Sequence, residues 1–351
     1  MNQNKILILV TDLEMGGIQN YARAQAKLLS QMQFDVYTIV INKTQDEESE
    51  HLIGLNHLKS YQKPLYIKKF IQKNKIQLLL DHRTKSNFVK GKIYDFLLRS
   101  IPKIQFIHSA NLKLYFYSSR LLNQLLYQNT TSFITVSKHI QHLVQKQTNK
   151  SVEVVYHFFD QKRAEAVGAK NRNYLLFIGR FDDEVKDLHF LLKSYLASDL
   201  HKKDIKFLFV GDGKDKSLIT HFAKEHQLVD FIKIYPIEKT PDSYYQHAKA
   251  VVLASHFEGF PLVLLEAVFH NTPVVTTAFN PSVHEIVLTE MNGLIVDKKI
   301  DTFAMALRKI EEDTDFYAHL LQHTQAPMSD LFTKSHAINN WSKLLKNYLR
   351  T

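Results

Sequence analysis

This 351-residue chain predicts an α/β fold of two doubly wound domains with parallel sheets. Three observations carry that reading. Short apolar runs of strand length alternate with helix-length segments throughout, the order expected when each strand is followed by a helix that covers its sheet. A polar interval from Gln161 to Asn173 breaks the alternation, which then restarts. The chain is also long enough for two domains that each bury a core.

Lys5 to Val10 reads as a strand, Gly17 to Ser30 as a helix and Val36 to Ile41 as the next strand. Ile76 to Leu80, Ile104 to Ile107 and Phe133 to Val136 continue the first sheet, and Leu112 to Tyr127 reads as a helix packing an apolar face. After the polar interval come Tyr174 to Ile178, Lys206 to Val210, Phe231 to Tyr235, Val251 to Ala254 and Pro273 to Thr277. The expected organisation is an N-terminal domain over 1–165, a second over 166–335 and a helix over 336–351 that packs back on the first.

The 45% hydrophobic and 23% charged content is that of a soluble globular protein. No apolar run approaches the roughly 20 residues of a membrane span, and Lys5 to Val10 is too short for a signal-peptide core, so a cytoplasmic location is expected. With no cysteine there are no disulfides, thiolate nucleophiles or cysteine-built zinc sites. The 18 histidines show no metal-ligand spacing such as HExxH. The net charge of +10 is lopsided: up to Glu165 there are 23 Lys and Arg against 12 Asp and Glu, and the remainder is near neutral. The densest stretch, Lys59 to Lys103, interleaves its lysines with Tyr61, Leu65, Tyr66, Ile67, Phe70 and Ile71. It suits an anionic membrane surface, an acidic substrate or plain solvent; without a recognition motif nucleic acid is not expected as a partner.

The segment from Ser255 to Val275 holds the most chemistry. A strand ends near Ser255, Glu258-Gly259-Phe260 form a turn, and Pro261 stands at a helix start where its missing N–H is no loss. Glu266 then falls in the second turn of an otherwise apolar helix. A carboxylate there is costly to bury unless it meets hydrogen-bond donors, and the free amides at the helix start suit an anion. In open parallel sheets ligands bind beyond the carboxyl ends of the strands, so the loops after strands matter. These loops carry Gly16-Gly17, His108, Gly179-Arg180 and Gly211-Asp212-Gly213. Asp182-Asp183-Glu184 is an acidic run that reads as a solvated loop rather than a metal site.

Gly179-Arg180 followed by Lys186, then Gly211 to Gly213, then Glu258 to Glu266 as E-x7-E, resembles the retaining GT-B glycosyltransferases of family 4. Gly16 to Tyr21, His108 and Val136-Ser137 are similar to the family as well. The resemblance implies two Rossmann-like domains facing each other across a cleft, and transfer of a hexose or N-acetylhexosamine from a nucleotide diphosphate donor, with UDP the expected nucleotide. It implies a lipid-linked or cell-surface glycan acceptor, retained anomeric configuration and no metal or other cofactor. By the same likeness Arg180 and Lys186 hold the diphosphate, Glu266 the ribose, and Glu258, Gly259 and Phe260 the sugar. Gly17 approaches the phosphates and His108 faces the sugar, which makes His108 and Glu258 the catalytic candidates. A peripheral place on the inner face of the membrane is a further expectation. Two departures stand out: Asp187 occupies the place of a frequent glycine, and Tyr156 to Asp160 that of a Pro-Asn-Gly sequence. A sugar-nucleotide epimerase, a phosphorylase, or a non-catalytic sugar-nucleotide-binding protein remain the alternatives.

Overall fold

The computed structural model describes residues 3–13, 17–42, 49–159, 172–237, 241–325 and 331–349. The chain divides into two compact units, Met1–Phe159 with Leu331–Thr351, and Asp160–Asp330. The first therefore takes back the end of the chain. The polar interval falls outside the described residues from 161 to 171.

In the first unit seven parallel strands are described: β1 (Lys5–Val10), β2 (Asp35–Val40), β3 (Leu52–Gly54), β4 (Leu78–Asp81), β5 (Lys103–Ile107), β6 (Ser132–Thr135) and β7 (Val152–Val154), in the order β3-β2-β1-β4-β5-β6-β7. Helices α1 (Gly17–Gln31), α2 (Gln62–Asn74), α3 (Phe88–Leu97), α4 (Arg120–Leu126) and α5 (Lys138–Gln145) connect them. The strand β1 shows why its sequence is apolar at every position but the first. Ile6, Ile8 and Val10 pack on one face with residues of α1, while Leu7 and Leu9 pack on the other with Ile67 and Ile71 of α2. A central strand covered on both faces has no solvent side to make polar.

The second unit repeats the plan with β8 (Tyr174–Ile178), β9 (Lys206–Val210), β10 (Ile232–Tyr235), β11 (Ala250–Leu253), β12 (Val274–Thr277) and β13 (Gly293–Val296). Their order is β10-β9-β8-β11-β12-β13, again starting centrally and winding outwards both ways. Its helices are α6 (Asp183–Lys186), α7 (Leu188–Ser198), α8 (Lys216–Glu225), α9 (Asp242–His247), α10 (Leu262–Phe269), α11 (Ile300–Glu312) and α12 (Thr314–His323). The last helix, α13 (Lys334–Leu345), belongs to the first unit: Ala337, Trp341, Leu344 and Leu345 join Ile6, Ile8 and Phe106 in one core, with Trp341 fully buried.

Several details differ from the expectation. The short strands β3, β7 and β13 were not anticipated. Leu112 to Tyr127 is not one helix: a single 3-10 turn, Leu112–Leu114, is followed by bends and then by α4. Tyr115, Phe116 and Tyr127 are buried, and Ser119 caps α4 by accepting from the Leu122 amide at 3.4 Å. Within the basic stretch Ile67 and Ile71 are core residues, and Tyr66 and Phe70 pack against that core, so of the six apolar groups only Tyr61 and Leu65 are exposed.

Candidate active site

Two glycine loops build one side of the second unit's site. Strand β8 delivers Gly179 and Arg180, and β9 delivers Gly211-Asp212-Gly213. A Cβ on Gly211 would stand 2.0 Å from the Gly179 carbonyl oxygen, and one on Gly213 would stand 2.3 Å from that of Phe181. Both also have positive φ, 149° and 159°. Close backbone contact therefore requires these glycines. The Phe181 amide donates to the Asp212 carbonyl at 2.8 Å, and the Asp215 amide to the Phe181 carbonyl at 3.1 Å. The second loop is thus the shelf on which Gly179 and Arg180 rest, with Arg180 exposed.

Lys186 closes the short helix α6. Asp187 follows in the left-handed region (φ 51°), where glycine is unstrained and aspartate tolerated. Its carboxylate caps α7 through the Phe190 amide at 3.2 Å and pairs with Lys298 at 2.7 Å and His256 at 3.2 Å. The departure from the glycine pattern is thereby absorbed locally. Lys186 itself forms an ion pair with Glu258, whose same oxygen accepts from the Ser255 hydroxyl at 3.0 Å. The acidic run has other partners: Asp182 and Glu184 meet Lys214 at 3.3 and 3.1 Å, and Asp183 accepts from the His189 amide at 2.9 Å. Among the described residues no cluster of three His, Asp or Glu could hold a metal ion.

The turn after β11 is held by its carbonyls. Asn280 donates to the Glu258 carbonyl at 2.8 Å and Ser282 to that of Gly259 at 3.2 Å, both from the loop after β12. Helix α10 begins at Leu262, with Pro261 just outside it and no side chain capping it. Its first amides have no intrahelical acceptor, so an anion is suited to this end. Glu266 lies one turn further on and accepts from the Tyr245 hydroxyl, whose ring stacks on His270 with centroids 5.4 Å apart. Burial pushes the Glu266 carboxyl up to about 7; the Tyr245 hydrogen bond opposes the shift and Asp242 adds to it. A carboxylate in that state gains from further hydrogen-bond donors, such as a diol.

In the first unit Gly17 is the exposed first residue of α1, and Gly16 lies outside the described residues. His108 follows β5 directly and is 8% exposed. Its amide donates to the Tyr115 hydroxyl at 3.2 Å, and its ring meets His82 with Nε2 2.9 Å from Nδ1. Burial lowers the His108 imidazole to about 3.

Of the residues singled out in the sequence, Lys186, Glu258 and Gly179 converge in space: the Lys186 stem passes 4.0 Å from where a Gly179 Cβ would stand. Gly259 and Phe260 continue the pinned turn, Arg180 and Glu266 stand on separate elements of the same unit, and Gly17 and His108 belong to the other. The sequence reading missed Tyr245, Ser255, Asn280, Ser282, His82 and Gln25. Asn280 and Ser282 follow a strand, and the loop-after-strand rule reaches them. Nothing local marks Tyr245.

Residues 158–326 match the family model described as glycosyl transferases group 1. The amylovoran biosynthesis glycosyltransferase AmsD of Erwinia amylovora is 23% identical over 306 residues, 84% of this chain and 86% of that protein. The GalNAc-alpha-(1->4)-GalNAc-alpha-(1->3)-diNAcBac-PP-undecaprenol alpha-1,4-N-acetyl-D-galactosaminyltransferase of Campylobacter jejuni is 28% identical over 193 residues, 54% of this chain. The match spans about half of that relative, 52% of its length. Among solved structures, HepE of Anabaena in complex with UDP-glucose has a TM-score of 0.78 at 17% identity, covering 98% of this chain and 99% of its own. At that identity the likeness is one of fold, the GT-B architecture.

Proposed function

We propose what this chain, a glycosyltransferase whose second unit belongs to the glycosyl transferases group 1 family, transfers and how. It moves a hexose or N-acetylhexosamine from a UDP-sugar to a lipid-linked or cell-surface glycan precursor, with retention and without a metal. The observation that carries this reading is the pinned Glu258-Gly259-Phe260 turn, with Lys186 paired to its carboxylate and the uncapped start of α10 beside it. The names of the relatives support the donor and acceptor classes: one acts on a PP-undecaprenol-linked glycan, one serves amylovoran biosynthesis, and one was solved with UDP-glucose.

Breaking the sugar–phosphate bond builds negative charge on the diphosphate. Arg180, Lys186 and the start of α10 stabilise that charge more in the transition state than in the ground state. The diphosphate displaces Glu258 from Lys186, and the freed carboxylate meets the sugar. His108 contacts the sugar from the first unit, Gly17 gives the phosphates close backbone access, and Glu266 accepts from the ribose diol. The departing phosphate oxygen takes the proton of the acceptor hydroxyl on the same face, so no enzyme nucleophile is involved. An exposed apolar and basic face on the first unit fits peripheral contact with an anionic membrane.

The test incubates the full chain with a panel of UDP-sugars and a polyprenyl-diphosphate-linked acceptor in excess EDTA. UDP release is expected only with acceptor present, and NMR of the product should show the donor's anomeric configuration. Arg180→Ala should slow turnover by roughly tenfold to hundredfold, the value of a hydrogen bond to a charged group. Loss of activity in chelator with rescue by magnesium, or an inverted product, overturns the mechanism. Conversion of the donor without acceptor favours the epimerase.

A further inference from the structure

We infer that His82 and Gln25 are positioning residues for the transfer reaction: they fix the tautomer of His108, so that its Nδ1 meets the donor sugar as a hydrogen-bond acceptor. The inference rests on the reading of His108 as the first unit's sugar contact.

The arrangement follows from topology. Strands β4 and β5 are neighbours, so the residues leaving their carboxyl ends, His82 and His108, stand side by side where ligands of parallel sheets bind. The His82 ring is clamped against Phe106, with centroids 4.0 Å apart and planes 14° from parallel. Its Nε2 lies 2.9 Å from Gln25 Oε1 on α1, and its Nδ1 lies 2.9 Å from His108 Nε2. A carbonyl oxygen only accepts, so His82 Nε2 carries the proton and its Nδ1 is a lone pair. His108 Nε2 must then donate, which leaves His108 Nδ1 unprotonated. Among the described residues this nitrogen has no hydrogen-bond partner. Burial lowers both imidazoles, His108 to about 3 and His82 well below its usual range, so neither ring carries the second proton that would reverse the chain. His82 and Gln25 are 2% and 0% exposed, leaving water little access to scramble the directions. A core with no such task would be filled as well by apolar side chains at lower desolvation cost.

Long-range 15N–1H correlation spectra of 15N-histidine-labelled full chain read the tautomer directly, and steady-state kinetics with UDP-sugar and acceptor read its consequence. Wild type should show His108 as the Nε2–H form. In His82→Phe the ring still stacks but accepts nothing, so His108 should populate both tautomers and kcat should fall about tenfold while the UDP-sugar KM stays within about twofold. His82→Asn places Oδ1 where Nδ1 stood and should restore both the single tautomer and most of the rate. A His108 tautomer and kcat that ignore His82→Phe overturn the inference, as does an Asn variant no better than Phe. His108→Ala separates the two layers. If it is inactive while wild-type His108 shows mixed tautomers, only the part given to His82 and Gln25 fails; if it turns over normally, the sugar-contact reading fails with it.

Discussion

Glu266 shows how a single side chain joins fold to chemistry. Its carboxyl stands at about 7 because α10 holds it among apolar neighbours, and Tyr245 supplies one donor where an ionised carboxylate accepts several. The raised value reverses the usual sign of acid linkage. Between the ordinary carboxyl range and 7 the folded free protein keeps a proton that the unfolded chain releases, so this residue costs stability as pH rises through that window. A ribose diol favours the carboxylate, so donor binding should expel the proton. Affinity for a UDP-sugar, whose diphosphate keeps its charge over the range, should therefore rise with pH below about 7, with a slope approaching one logarithmic unit per pH unit, and flatten above it. Calorimetry in two buffers of different ionisation enthalpy measures both the slope and the released proton. A flat profile in wild type, or the same slope in Glu266→Gln, sinks the ribose assignment.

At the scale of elements, most of the fold was legible because central parallel strands carry their signal locally. The strands β8 and β9 have the expected bounds to the residue, since after its first, partly buried residue each is a run of four buried apolar side chains that ends abruptly at glycine. The short edge strands β3, β7 and β13 carry three or four residues and no comparable run, so only pairing with a neighbour defines them. The broken helix after β5 was illegible for a related reason: Tyr115 and Phe116 have helical spacing with Leu112, but they are buried and Ser119 restarts the helix at α4. In the site, Lys186 and Glu258 were readable as motifs, yet their ion pair across 72 residues was not. The Gly211 loop gives a clean test at this scale. Gly211→Ala places a methyl against the Gly179 carbonyl in a backbone region that L-residues avoid, and should destabilise the second unit by about 2 kcal/mol or more. Thermal unfolding should fall by at least several degrees, and Arg180-dependent donor affinity with it. An unchanged melting temperature would show that the shelf yields.

For the molecule as a whole, the excess positive charge and, among the described residues, most of the exposed large apolar groups share the first unit. Helix α3 packs against both α2 and α4. On α3, Val89, Ile93 and Phe96 are 69%, 46% and 53% exposed at helical spacing, and α4 adds Leu121 and Leu125. Of the apolar groups that the sequence interleaves with the lysines, Ile67 and Ile71 on α2 are core while Tyr61 and Leu65 are exposed; α3 and α4 add the larger share of the exposed apolar groups. Lys68, Lys69 and Lys73 on α2 and Lys90 and Lys92 on α3 supply charge nearby. Each basic residue close to an anionic leaflet contributes about 1 kcal/mol, an attraction that fades within a Debye length of about 8 Å at physiological salt. Apolar burial in the interface adds a term that salt does not screen. The two components are therefore separable. The full chain should sediment with anionic liposomes at low salt and not with neutral ones. Exchanging Lys68, Lys69, Lys73 and Lys75 for glutamate should abolish sedimentation while sparing donor affinity, whereas Val89→Ser with Phe96→Ser should weaken it and leave the salt dependence intact. If wild type ignores anionic liposomes at low salt, this face is solvated and the acceptor is better sought among soluble glycans.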